Sequence, residues 1–320
     1  MKIRILTAND VSAALTMEEA INAVEKAFAQ LSAGRATMPL RSRFHTEKGV
    51  TLLMPARLHD SGDFAIKIVS VYGDNAKLHL PTVTATVLAL DDQTGLPQAL
   101  MEGDSLTALR TGAAGGVAAR YLSRKDSETV ALFGAGVQAA SQLRAVMTVR
   151  GIKQVFIVDP YKPAAERLAK LISAEPGAPD VHLGISPESA VEKADIVLAA
   201  TTTSTPLFDG NGLRPGTHVT GVGSFTPQMQ EIDAITISRA RVIVDQREAA
   251  AAESGDIILG KAVIDAEIGE IVNGVKPGRN DAVEITFFKS VGLAVQDAVT
   301  AAAVLRSAEE KSLGTLIDMS

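Results

Sequence analysis

Between Thr129 and Ala140 the chain reads T-V-A-L-F-G-A-G-V-Q-A-A, and no other stretch constrains the fold as much. Val130 to Phe133 is an apolar run with the length of a buried strand. Gly134, Gly136 and Ala139 follow as G-x-G-x-x-A, and apolar residues at helical spacing (Leu143, Val146, Met147) begin inside the motif. A strand that turns on glycine straight into a helix lets the backbone approach a pyrophosphate. It also aims the free N–H groups of the helix start, here Gly136, Val137 and Gln138, at that group. A second apolar strand, 155–158, ends at Asp159, in the region about 20 residues further on where a ribose-binding acid falls. G-x-G-x-x-A arises by chance in a Gly- and Ala-rich chain, and a structural glycine turn is the bland alternative. The flanking strand, helix and acid favour a dinucleotide site.

From Thr129 onward the pattern alternates between strand and helix, with strands expected at 155–159, 195–200, 217–222 and 241–245. A helix is expected near 163–173 and a short run at 181–185. Such alternation predicts a parallel, doubly wound α/β sheet of Rossmann type, whose ligand-facing loops lie at strand C-termini. Those loops are Thr201-Thr202-Thr203 and Gly221-Val222-Gly223-Ser224. The N-terminal part is different. Thr16-Met-Glu-Glu19 reads as a capping box ahead of a helix (Ile21, Val24, Phe28, Leu31) that Gly34 ends. A basic extended stretch with Arg41, Arg43 and His45 follows, then strands at 64–72, 82–90 and 97–101, an antiparallel α+β unit. A small-residue helix, 105–122, joins the two regions, and a last helix, 292–305, is expected to pack back on the first. The expected domains are therefore 1–115, 116–290 and a returning 291–320.

Composition narrows the chemistry. The net charge of −6 leaves no basic footprint, so nucleic acid is not an expected partner. The chain has no cysteine, which removes disulfides and thiolate catalysis, and its five histidines show no metal-ligand spacing, so no metal is expected. No apolar stretch approaches membrane-spanning length, and the cytoplasm is the default expectation.

Three cations stand out. Arg110 sits among small apolar residues, where a guanidinium suits a carboxylate or phosphate through two parallel hydrogen bonds, or else forms a structural ion pair. Lys67, mid-strand with Ile66 and Ile68 beside it, is either a solvent-facing residue of an edge strand or a desolvated acid/base; both readings stay open. Arg41, with Arg43 close by, is the weakest of the three. Asp159 would bond a ribose diol and repel a 2′-phosphate, which favours NADH, while Lys162 keeps NADPH open. Glu253 and Asp256 read as a solvated loop, and His182 and His218 as structural.

Leu80-Pro-Thr, Arg110-Thr-Gly-Ala-Ala-Gly-Gly, Gly134-Ala-Gly-Val-Gln-Ala, Gly223-Ser and Ser290-Val-Gly-Leu-Ala-Val-Gln-Asp297 occur together and in this order. With them the chain resembles the ornithine cyclodeaminase/mu-crystallin family over essentially its whole length. The resemblance implies a nicotinamide-binding Rossmann-type domain inserted in an α+β substrate and dimerisation domain, and a homodimer built through the N-terminal strands. It further implies that Arg41 and Arg110 hold a substrate carboxylate and that Lys67 sits beside the reacting nitrogen. Thr82, Arg110, Thr111, Gly223, Ser224 and Ser290 would lie near the cofactor.

One departure bears on activity. Ornithine cyclodeaminases carry an aspartate in a G-x-D-x-P-G-K setting where this chain has Gly223-Ser224-Phe225-Thr226-Pro227. Without that carboxylate, ammonia-eliminating cyclisation is disfavoured. The G-S-F-T-P form looks more like the family's ketimine reductases, which act on cyclic imines such as Δ1-pyrroline-2-carboxylate or Δ1-piperideine-2-carboxylate. The expectation is NAD(P)H-dependent reduction of a cyclic imine to a cyclic L-amino acid such as L-proline. The alternatives are an alanine (amino-acid) dehydrogenase, an ornithine cyclodeaminase and a non-catalytic nucleotide binder like some mu-crystallins.

Overall fold

The structure, a computed structural model, describes residues 1–320. The chain forms two compact units, Met1–Arg110 with Leu293–Ser320, and Thr111–Gly292. The divisions expected from sequence fall at 115/116 and 290/291.

In chain order the first unit contains β1 (Lys2–Leu6), α1 (Ala8–Ala14), α2 (Met17–Ser32), β2 (Ala36–Thr37), β3 (Ser42–His45), β4 (Val50–Leu58), β5 (Phe64–Val71), β6 (Val83–Leu90) and β7 (Pro97–Glu102). Helix α3 (Gly103–Leu122) begins in this unit and continues into the second. The second holds β8 (Thr129–Phe133), α4 (Val137–Val149), β9 (Gln154–Val158), α5 (Lys162–Ser173), β10 (Asp180–His182), α6 (Pro187–Lys193), β11 (Ile196–Ala199), β12 (His218–Gly221), α7 (Ala234–Arg239), β13 (Ala240–Val244), α8 (Arg247–Glu253), α9 (Gly255–Leu259), β14 (Ile264–Glu267), α10 (Ile268–Val272) and β15 (Ile285–Lys289). The chain then returns to the first unit as α11 (Ala294–Glu310) and β16 (Thr315–Asp318).

In the first unit the strands run β16-β1-β7-β6-β5-β4-β2, with β3 also on β4. Pairing is antiparallel except for β1 with β7, which is parallel. The strands expected at 64–72, 82–90 and 97–101 are β5, β6 and β7 and pair antiparallel, while β1, where no strand was expected, adds to β7 in parallel. Helix α2 starts at the reciprocal Thr16/Glu19 capping box, as its sequence indicates. It packs with α11 over the sheet, and α11 lies on β4 and β5. Met54, Ala56, Ala65, Val87 and Ala89 point to these helices and are buried.

The second unit is a parallel sheet in the order β10-β9-β8-β11-β12-β15-β13-β14. Its central strands are apolar on both faces. Phe133, Val197, Val219 and Phe287 fill one layer, and Leu132, Leu198, Ile157 and Val146 the other. The apolar segment at 284–288 is a full member of the sheet, lying between β12 and β13. From β8 the chain builds outward through β9 and β10, then returns to β11 on the opposite side. Strand order therefore reverses between β8 and β11, and ligand crevices in open α/β sheets form at such a point, outside the strand C-termini.

Candidate functional site

Lys67 lies on β5, paired to Met54 of β4 and Val87 of β6. The strand is therefore internal, which removes the edge-strand reading. Because side chains alternate along a strand, Lys67 shares the helix-covered face with Ala65, while Ile68 on the other face is exposed. Its side chain is 2% exposed, and its ammonium meets Asp297 of α11, with Nζ 3.0 Å from Oδ1 and 2.9 Å from Oδ2. Burial lowers its pKa to about 8, with the positive charge of Arg110 acting in the same direction and Asp297 opposing both. The charge of Arg41 also reaches Lys67 and adds to the lowering.

Arg110, on α3, donates from Nε to Asp297 Oδ1 at 2.9 Å and from Nη1 to Gln296 Oε1 at 2.7 Å. Gln296 Oε1 also accepts the Leu293 N–H that opens α11, at 2.9 Å. The helix start and the guanidinium are thus held by one amide oxygen. In the first unit Lys67 and Arg110 share a single carboxylate, and the charge of Arg41 reaches Lys67. That positive surplus in a poorly hydrated setting favours an anionic ligand. Sequence reading assigned Asp297 and Gln296 no role. The signal available was a Gln-Asp pair inside an apolar-periodic helix, where an ionised side chain needs a partner.

In the second unit Gly134 has φ +97, and a Cβ there would lie 2.5 Å from the Ala200 carbonyl oxygen. Only glycine lets β8 turn this close to the chain leaving β11. Gly136 is the N-cap of α4, with nothing within 4 Å of where its Cβ would stand, and Val137 is 72% exposed. The first N–H groups of α4, including that of Gln138, are open to an anion. Asp159 follows β9, and its Oδ1 accepts the Tyr161 N–H at 2.8 Å. A cavity of about 550 Å³ beside it is lined by Val158, Asp159, Lys162, Leu183, Ile185 and Thr201 among others. Close backbone approach, an open helix start, and an acid beside a cavity are the features a dinucleotide needs.

The remaining candidates divide. Thr201 begins the loop after β11, with Thr202 exposed and Thr203 capping its turn through a bond from its N–H to Thr201 Oγ1. Thr111 is buried, and its carbonyl accepts from Gln142 Nε2 at 2.6 Å. The glycines after it are packing residues: a Cβ on Gly115 would run into the Gln142 side chain. Thr82 is exposed in the first unit. Ser224 and Ser290 are buried, and their hydroxyls are committed inside the fold. Ser224 Oγ donates to the Met229 carbonyl and accepts from Asp256 N–H, and Ser290 Oγ donates to Asp245. Phe225 is 45% exposed.

The solvated-loop reading of Glu253 and Asp256 is corrected. Both are buried, and Asp256 Oδ2 lies 3.0 Å from Nζ of the equally buried Lys289. An unpaired ammonium in that strand would be costly, and Asp256 supplies its counter-charge. Glu231, also buried, has its pKa raised by burial, with Lys289 opposing. His218 is structural: burial lowers its pKa to about 3, and it bonds Thr286 and Thr220. His182 stacks on Phe156.

The family model for the ornithine cyclodeaminase/mu-crystallin family matches residues 1–312. The chain belongs to the ornithine cyclodeaminase/mu-crystallin family. Among members of this family, a Δ1-pyrroline-2-carboxylate reductase of Bacillus cereus is 36% identical, over 98% of this chain and 99% of its own. The structure of Thermococcus litoralis Δ1-pyrroline-2-carboxylate reductase in complex with NADH and L-proline superposes with a TM-score of 0.90. It is 42% identical and covers 98% of this chain and 99% of that one. An archaeal alanine dehydrogenase dimer with bound NAD superposes with a TM-score of 0.93 at 34% identity, over 100% of both chains. The family's α/β fold with a Rossmann-type parallel sheet is the fold of this chain. No helix of this family member is long and apolar enough to cross a membrane.

Proposed function

We propose that this protein reduces a cyclic 2-carboxy imine, Δ1-pyrroline-2-carboxylate or its six-membered counterpart, to the cyclic L-amino acid, with NADH preferred over NADPH. The observation that carries this reading is the buried Lys67–Asp297–Arg110 cluster, an acid of lowered pKa beside a carboxylate-binding guanidinium. The likeness to two Δ1-pyrroline-2-carboxylate reductases, one solved with NADH and L-proline, supports it.

The residues suited to hold NADH are Gly134, Gly136, Val137 and Gln138 at the pyrophosphate, Asp159 at the adenosine ribose, and the loop from Thr201 to Thr203. When bound, NADH supplies the hydride for the imine carbon. Arg110, aided by Arg41, clamps the substrate carboxylate in the plane of the C=N bond, and fixing that orientation accounts for much of the rate. Asp297 holds both Lys67 and Arg110, so the acid and the clamp keep a set separation. Lys67 delivers the proton to the imine nitrogen, directly or through a water it orients, and a pKa of about 8 keeps it charged yet able to release that proton. The proton and the hydride together saturate the bond. The exposed apolar face of the first unit's sheet, with Ile68 and Leu100 on it, supports a homodimer through these strands.

The likeness to an alanine dehydrogenase favours a second reading, in which the same clamp takes pyruvate and ammonium. The test follows NADH and NADPH absorbance with Δ1-pyrroline-2-carboxylate and, in parallel, with pyruvate plus ammonium. Oxidation with the cyclic imine alone is the expected result; turnover confined to pyruvate and ammonium would move the assignment to amino-acid dehydrogenation.

A further inference from the structure

The proposed reaction makes no use of a carboxylate buried under the nucleotide-binding edge of the second unit. Glu231 is fully buried, and its side chain reaches two strand-end loops at once. Oε1 accepts from the Thr201 backbone N–H at 2.6 Å and from the Thr201 hydroxyl at 2.8 Å, at the start of the loop after β11. Oε2 accepts from the Gly223 N–H at 2.7 Å, in the loop after β12.

Glu231 is itself anchored. Its N–H and that of Ile232 donate to Asp256 Oδ1 at 2.7 and 3.0 Å, while Asp256 Oδ2 pairs with Lys289 at the end of β15. Two carboxylates thus tie together the C-terminal ends of three adjacent strands, β11, β12 and β15. Burying two carboxylates against one ammonium costs stability that apolar packing of the same strand ends would not.

These loops lie on one side of the crevice. Asp159 lies on the other, at the end of β9. A dinucleotide laid across the crevice with its adenosine ribose at Asp159 places its nicotinamide half over the ends of β11 and β12. We infer that Glu231 is a positioning residue for the nicotinamide half of the cofactor, fixing the Thr201 and Gly223 loops against each other without touching the ligand. The three groups bonded to its side chain are all donors, so only a carboxylate satisfies them. In Glu231→Gln the amide nitrogen must face a donor of Thr201 or Gly223, and one loop has to move.

The inference rests on the nucleotide-binding part of the proposed function and is independent of the substrate's identity, so it is tested without turnover. The full-length protein and its Glu231→Gln variant are titrated with NADH, by its own fluorescence, and with ADP-ribose, which lacks nicotinamide, by calorimetry. The expected result is an NADH Kd raised about tenfold with ADP-ribose affinity held within about twofold. Glu231→Asp keeps the charge near Lys289 but is one methylene short of spanning both loops. It shows the same selective loss and serves if the amide variant does not fold. Equal weakening of both ligands, or unchanged NADH binding, would overturn the inference. A wild-type chain that binds neither ligand would overturn it together with the nucleotide site itself.

Discussion

Lys67 and Asp297 are 230 positions apart in the chain, yet their side chains meet at 2.9 Å with 2% and 1% of their surfaces exposed. The strand and the returning helix that carry them are held in contact by the core of the first unit. Asp297 also takes the guanidinium of Arg110, so one carboxylate organises both the acid and the clamp of the proposed reaction.

Removing that carboxylate leaves two cations buried together. Asp297→Asn is expected to lower stability by about 3–5 kcal/mol, the range for breaking a buried ion pair. It should also reduce kcat/KM for the imine by at least about a hundredfold, since both the acid and the clamp lose their support. Urea denaturation and steady-state kinetics measure the two effects; wild-type values in both would show that Asp297 supports neither the fold nor the reaction.

The acid role proposed for Lys67 fixes the sign of the pH dependence. Its pKa is lowered to about 8, so the ammonium is present below that pH and is lost above it. Log kcat/KM for imine reduction is expected to fall with unit slope above an apparent pKa near 8. In Asp297→Asn, where the carboxylate that holds the proton on Lys67 is gone, the limb should move to lower pH. A profile flat to pH 10, at about two units above the group's pKa, would exclude Lys67 as the proton donor.

In the proposed function, cofactor preference rests on Asp159. A 2′-phosphate placed at this carboxylate meets like charge, so the wild type should favour NADH in kcat/KM. Asp159→Ala should shrink the NADH/NADPH ratio by about tenfold, equivalent to ~1.4 kcal/mol. Lys162 lines the same cavity and is the residue expected to take the phosphate once Asp159 is gone. An unchanged ratio in the variant would show that preference is set elsewhere.

Much of this architecture is legible in the sequence, and the parts that are not share a cause. The strand–glycine–helix stretch from Thr129 reports itself because its signals are local: an apolar run, a turn only glycine can make, and helical spacing. The capping box at Thr16 and Glu19 is equally local. The state of Lys67 is not, because its burial depends on β4 and β6 flanking its strand and on a helix from the far end of the chain covering it. Asp256 misleads for the same reason. Ala-Glu-Ser-Gly-Asp looks solvated until Lys289 is placed opposite, although a lysine closing the apolar run Ile285-Thr-Phe-Phe itself signals a buried counter-charge. Ser224 and Ser290 lie at strand ends, but their hydroxyls satisfy buried groups nearby, and a motif does not show where a side chain's bonds are spent.

The fate of the hydride itself distinguishes imine reduction from the alternatives. Δ1-pyrroline-2-carboxylate is incubated in ordinary water with NADH carrying deuterium at both C4 positions, and the proline formed is examined by mass spectrometry and chiral chromatography. The expected product is L-proline bearing a single deuterium at Cα, with the nitrogen-bound hydrogen drawn from solvent. Unlabelled proline, or no proline while NADH is consumed with pyruvate and ammonium, would contradict hydride transfer to the imine carbon.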